Sequence, residues 1–139
     1  DCKADGAVEA LVDTLRRCNA LERVGVGAFS DRRLRRIRGL LGPGLCTSLG
    51  PRGVATLVYG RPRRPVALAA QVPVKQGRLT VVSPRVVAKA HALGLQVHVW
   101  TIDEATEMNR LLDLGVDGLM TDRPGVLKQV LTDRGQWHS

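Results

Sequence analysis

The stretch HALGLQVHVWTIDEATEMNRLLDLGVDGLMTDRP, residues 91 to 124, decides the fold class because its hydrophobic period changes twice. Leu95, Val97 and Val99 alternate with Gln96 and His98 before Trp100, the period of two that marks a strand. Ala105, Met108, Leu111 and Leu112 then recur at helical steps. Gly115 and Gly118 bracket a second short strand, Leu119 to Thr121, and Pro124 opens another helix. Loops this short make a parallel βαβ unit the natural reading. Both strands end in polar or aromatic residues, Trp100, Thr101 and Asp103 and then Thr121 and Asp122, where α/β folds gather their sites.

Working outward, the same alternation of strand and helix repeats. Asp1-Cys2-Lys3 reads as the end of a strand, followed by a helix with Val8, Leu11, Val12 and Leu15 on its apolar face. Val24 to Phe29 is a strand candidate, and Ser30 or Asp31 caps a helix whose buried stripe is Leu34, Ile37 and Leu41. Arg32, Arg33, Arg35, Arg36 and Arg38 cover the rest of that helix and read as its wet face. After the Gly42-Pro43-Gly44 break come a strand at Leu45 to Leu49 and a brief helix from Pro51 carrying Val54, Leu57 and Val58. Val66 to Val72 is an almost continuous apolar run that suits a strand buried on both faces, and Lys75 and Gly77 read as loop. Ser83-Pro84 starts a helix with Val86, Val87, Ala90 and Leu93 inward, ended by Gly94.

Strands starting near residues 1, 24, 45, 66, 95 and 118 lie about 21 to 29 residues apart, the repeat of βα units. A dinucleotide-binding doubly wound sheet would need a third glycine that Gly25-Val26-Gly27-Ala28-Phe29-Ser30 lacks. A (β/α)8 barrel needs eight units in about 250 residues, so about six strands in 139 residues read as the latter part of one.

Composition agrees with an aliphatic core, since apolar residues make up 44% of the chain and aromatics only 3%. The net charge of +8 raises a nucleic-acid reading. The basic residues lie on helix faces and in the loop Gly60 to Pro65, without interleaved aromatics to stack bases, so a solvated basic surface is expected instead. Cys2, Cys18 and Cys46 lack CxxC spacing and indicate neither a disulfide framework nor a zinc site. No apolar run of about 18 residues exists to span a membrane, and Asp1, Lys3 and Asp5 are unlike a signal peptide. A cytoplasmic location is therefore the expectation, with secretion left open because a first residue other than Met suggests an excised segment.

The segment from Ala90 to Pro124 closely resembles the closing pattern of the glycerophosphodiester phosphodiesterase family, a G-x-x-V-x-x-W-T-V-N-like strand, a helix and G-V-D-G-I-x-T-D-x-P. Asp1-Cys2-Lys3 is similar to the family's E-x-K on the third barrel strand, and Val26 to Ser30 to its S-S-F-D strand. The resemblance covers residues 1 to about 131, which makes 1–131 a partial phosphodiesterase barrel and 132–139 a tail.

What the resemblance implies is metal-dependent hydrolysis of a small-molecule glycerophosphodiester to glycerol 3-phosphate and an alcohol. Such chemistry needs a divalent cation, Mg²⁺ or Ca²⁺, a cation on the phosphate, and an acid and base. By resemblance Asp1 stands at a metal-binding Glu, Lys3 at the phosphate-holding lysine and Trp100 at the tryptophan of the pocket mouth. Gln71 and Phe29 end strands on the same rim and are candidates for the pocket lining. Asp103 departs from the usual Asn and reads as a helix N-cap, as does Asp122. The family's H-R-G, H-D, E-N-T and E-x-D motifs are absent, and His91, His98 and His138 read as structural or solvent-facing. The expected function therefore belongs to a complete domain, with this segment alone inactive. Two rivals stand beside it. One is a non-catalytic partial-barrel remnant that binds a partner or anionic surface through Arg32 to Arg38 and Arg61 to Arg64 and self-associates through open strand edges. The other is a phosphate-binding barrel enzyme of different chemistry.

Overall fold

The computed structural model describes residues 1–63 and 65–137. Arg64 of the basic loop and His138 of the tail lie outside the described residues. The chain packs as two compact units, Asp1–Ala70 with Leu93–Leu95, and Gln71–Ala92 with Gln96 onward.

In the first unit an extended N-terminal segment leads through a 3-10 turn, Asp5–Ala7, into α1, Val8–Arg17. A second 3-10 turn, Leu21–Arg23, precedes β1, Gly25–Val26. Then follow α2, Asp31–Leu41, β2, Cys46–Thr47, and α3, Pro51–Tyr59. β1 and β2 pair in parallel, Gly25 opposite Cys46 and Val26 opposite Thr47, and a parallel bridge joins Ser48 to Ala69. Cys2 donates its N–H to Gly27 O at 2.8 Å, which ties the N-terminal segment beside β1. One apolar cluster unites Cys2 with Val8, Val12 and Leu15 of α1, Leu34 and Ile37 of α2, and Val26 of β1. Each large aliphatic side chain so buried contributes about 2 kcal/mol. The expected α1 and α2 stripes are thus correct, and Ser30 caps α2 as expected, its Oγ accepting the Arg33 N–H at 3.2 Å.

A three-stranded sheet has the order β3, β6, β7. β3 is Ala69–Pro73, β4 Lys75–Gln76, β5 Leu79–Thr80, α4 Pro84–Ala92 and β6 Gln96–Trp100. α5 is Ala105–Asp113, β7 Gly118–Leu119 and α6 Pro124–Asp133, so the last helix runs two residues past the expected end of the barrel segment. β6 and β7 are parallel, His98 opposite Gly118 and Val99 opposite Leu119, as the βαβ reading requires. Ser83 caps α4 by accepting the Val86 N–H, and Gly94 and Gly115 end their helices at φ 74° and 83°.

Two expectations need correction. The run from Val66 is not buried on both faces, because Val66 and Leu68 are 69% and 55% exposed and the strand starts only at Ala69. Apolar character alone did not distinguish a surface connection from a central strand. Lys75 and Gly77 do not lie in a simple loop either. Lys75 pairs antiparallel with Thr80 and Gln76 with Leu79, so β4 and β5 form a hairpin turned at Gly77 with φ 59°.

Candidate functional site

Cys2 is buried in the cluster with α1 and α2, and its neighbours Asp1 and Lys3 are exposed. The segment is held at two points, Cys2 N–H on Gly27 O and Cys2 O receiving Arg33 Nη1 at 2.8 Å, and within it the Cys2 thiol reaches Ala4 O at 3.6 Å. Arg33 is in turn fixed by Asp5, whose Oδ1 accepts from Nε at 2.8 Å, while Arg32 takes Oδ2. These two guanidinium groups, Arg33 first, hold the Asp5 carboxyl below its usual value. Asp1 and Lys3 also edge a cavity of about 340 Å³ whose remaining walls include Leu11, Leu15 and Val24. Those walls are apolar, so the polar chemistry of this end of the unit comes from Asp1 and Lys3 themselves.

The arginines of α2 are therefore not a uniform wet face. Arg33 is only 13% exposed at its side chain, Arg36 pairs with Glu9, and Arg38 donates to Thr47 Oγ1 from Nε at 2.9 Å and Nη2 at 2.6 Å. Most of the cationic stripe is engaged inside its own unit, which weakens its fitness as a docking face. The signal for this was present as Asp5 and Glu9, one helical turn apart on the preceding segment, but their facing α2 is a tertiary fact.

Phe29 follows β1 and is 72% exposed. Ala70 and Val72 of β3 and Val97 and Val99 of β6 are buried, and the intervening positions Gln71, His98 and Trp100 are half-buried. Strand alternation thus sets Gln71 and Trp100 on the less buried face of one sheet. His98 shares that face, its Nε2 3.1 Å from Gln96 Oε1. The structure brings Asp1 beside Lys3 in one unit and gathers Gln71 and Trp100 on one sheet of the other.

The helix-cap reading of Asp103 and Asp122 is overturned. The residue preceding α5 is Glu104 and that preceding α6 is Arg123, and neither makes a side-chain cap bond. Asp103 Oδ1 instead accepts from Thr121 Oγ1 at 2.8 Å and from the Asp122 N–H at 2.9 Å. His91 has a defined structural role, with Nε2 2.9 Å from Asp117 Oδ2. Among the described residues no group of three or more His, Cys, Asp or Glu side chains could hold a metal ion. Asp1 alone does not make a metal centre.

Comparison with known proteins places the chain in a family. The family model described as Glycerophosphoryl diester phosphodiesterase family matches residues 11–126. A protein named probable glycerophosphodiester phosphodiesterase 2 from Mycobacterium tuberculosis is 40% identical over 146 residues, covering 99% of this chain and 55% of its own length. The crystal structure of a putative glycerophosphoryl diester phosphodiesterase from Silicibacter pomeroyi superposes with a TM-score of 0.74 at 27% identity, covering 97% of this chain and 46% of that one. A glycerophosphodiester phosphodiesterase structure from Parabacteroides distasonis, at 22% identity and a TM-score of 0.72, shares the fold over 96% of this chain and 56% of its own. The chain spans about half the length of these relatives.

Proposed function

Because the chain belongs to the glycerophosphoryl diester phosphodiesterase family and is part of its α/β barrel, we propose that it contributes to hydrolysis of a glycerophosphodiester to glycerol 3-phosphate and an alcohol within a complete domain. The observation that carries this reading is the N-terminal segment. Its backbone is held through Cys2 while Asp1 and Lys3 are exposed and edge the same cavity. A lysine ammonium so placed is a point charge with three donors, suited to a phosphate oxygen whose charge grows as the leaving alcohol departs. Trp100 offers an apolar ring to the glycerol carbons, with Gln71 as a polar residue on the same sheet face.

Members of the family generally depend on a divalent cation. The carboxylate of Asp1 has the right chemistry for one ligand to Mg²⁺ or Ca²⁺, but such hard cations take six or more oxygens. The described residues do not supply a set, so the segment alone is expected to be inactive. Acid and base groups likewise have to come from elsewhere in the domain. The experiment is an assay of the parent domain on glycerophosphocholine with Mg²⁺ or Ca²⁺, repeated after chelation. Loss of glycerol 3-phosphate release on chelation, and recovery on adding the cation back, is the expected result. Activity indifferent to chelator would remove the metal from the account and with it the role given to Asp1.

A further inference from the structure

We propose that Asp103 is a positioning residue for Trp100, tying the loop after β6 to the loop after β7 and so fixing where the indole sits. The tie has a backbone and a side-chain part. Along the backbone, Met120 donates its N–H to Val99 O and Ile102 donates its N–H to Met120 O, each at 2.9 Å, so the β7 loop continues the ladder on both sides of Trp100. Beyond that ladder the side chain of Asp103 takes over. Its Oδ1 accepts the Thr121 hydroxyl at 2.8 Å and the Asp122 N–H at 2.9 Å. The Thr121 hydroxyl is used in both directions, because its Oγ1 also accepts the Arg123 N–H at 2.9 Å. Three consecutive residues of the second loop are thus fixed through one oxygen of the first.

The chemistry of the tie explains which residues can make it. Both bonds end on Oδ1 as acceptor, and among the described residues Oδ2 has no partner. The site therefore asks for one side-chain oxygen at this reach, not for a charge, and the amide oxygen of Asn would serve as well. That accounts for Asp standing where the closing pattern of the resembled family has Asn. A cap for α5 would instead have spent this oxygen on the helix's own first N–H groups, which it does not contact.

The inference rests on the phosphodiesterase reading only for what Trp100 touches. The tie itself is tested without substrate, so its failure and the failure of that reading are separable. Trp137→Phe leaves Trp100 as the only tryptophan of the chain. In that background Asp103→Ala, Asp103→Asn and Thr121→Val are compared by indole emission, acrylamide quenching and far-ultraviolet circular dichroism. Asp103→Ala should red-shift the emission and increase quenching, Thr121→Val should do the same to a smaller extent, and Asp103→Asn should keep the parent's values. Parent-like fluorescence in a folded Asp103→Ala chain overturns the proposal, as does an Asp103→Asn chain that shifts as far as the alanine variant. If Asp103→Ala does not fold, Thr121→Val decides, and a parent-like Thr121→Val overturns the tie.

Discussion

At the residue scale, Asp117 is the clearest case of a charged side chain used for structure. Its Oδ2 accepts the Val97 N–H at 2.7 Å and faces His91 Nε2 at 2.9 Å, while its own N–H donates to Val97 O at 2.9 Å. Burial pushes the carboxyl up, but the Val97 amide and the His91 ring outweigh it and hold Asp117 below its usual value near 3.8. A carboxylate with a depressed folded pKa contributes fully above its unfolded pKa and loses that contribution as pH falls through the folded value. Asp117→Ala should therefore lower the denaturation midpoint at pH 7. The loss should be about 1 kcal/mol, kept small because a third of the side chain, 33%, remains exposed. The gap between parent and variant should shrink once the pH falls below about 4. A gap unchanged from neutral to strongly acidic pH would mean the carboxylate's charge plays no part. His91 and Asp117 lie 26 residues apart, which is why the sequence, which left His91 as structural or solvent-facing, could not name its partner. The same distance problem turned Asp103 into a supposed cap. Its position before α5 fits the local rule, and its real partners lie 18 and 19 residues on.

At the scale of elements, helices were far more legible than strands. α1, α2, α4, α5 and α6 follow from apolar spacing, Ser30, Pro84 and Pro124 in close agreement with the structure. β1, β2 and β7 are two-residue ladders, shorter than the strands expected from the sequence, and their limits depend on which neighbour is available to pair. Side-chain alternation cannot report that. Gly118 illustrates a requirement visible only in the packed sheet, since a Cβ there would lie 2.9 Å from Cδ2 of the His98 ring across the β6–β7 pair. Gly118→Ala should cost about 1 kcal/mol of stability by overpacking. Combined with His98→Ala it should cost less than the sum of the two single changes, because the ring that obstructs the methyl is gone. Additive losses in that cycle would show that His98 is not what constrains the glycine. The clamp of α2 on the N-terminal segment belongs to this scale as well. Arg33→Ala should loosen the Asp1 to Lys3 segment by freeing Cys2 O, read as faster amide exchange at Cys2 and Lys3 with α2 still protected.

At the scale of the whole molecule, the βα repeat and the closing motif in residues 91 to 124 made the partial barrel legible, and the family match over residues 11–126 agrees. The candidate site was legible only in part. Asp1, Lys3, Gln71 and Trp100 were expected residue by residue from the resemblance and the strand ends, whereas the bonds of Arg33 to Cys2 O and of Asp103 to Thr121 join residues far apart in the chain and are tertiary facts. An open arrangement leaves β7 at the end of its sheet, and among the described residues its outer edge has no ladder partner. The chain alone is therefore expected to self-associate with rising concentration, a behaviour that sedimentation velocity would reveal and that a constant monomer would refute. The central claim is that this segment supplies the phosphate-holding cation of a phosphodiesterase. It is tested most directly by measuring glycerol 3-phosphate release from glycerophosphocholine by the parent domain, by the same domain with Lys3→Ala, and by the 139-residue chain alone. The account predicts turnover by the parent, a loss on the order of 100-fold or more in the variant and none by the chain alone. A Lys3→Ala domain that hydrolyses at the parent's rate, or a chain that does so by itself, would contradict it.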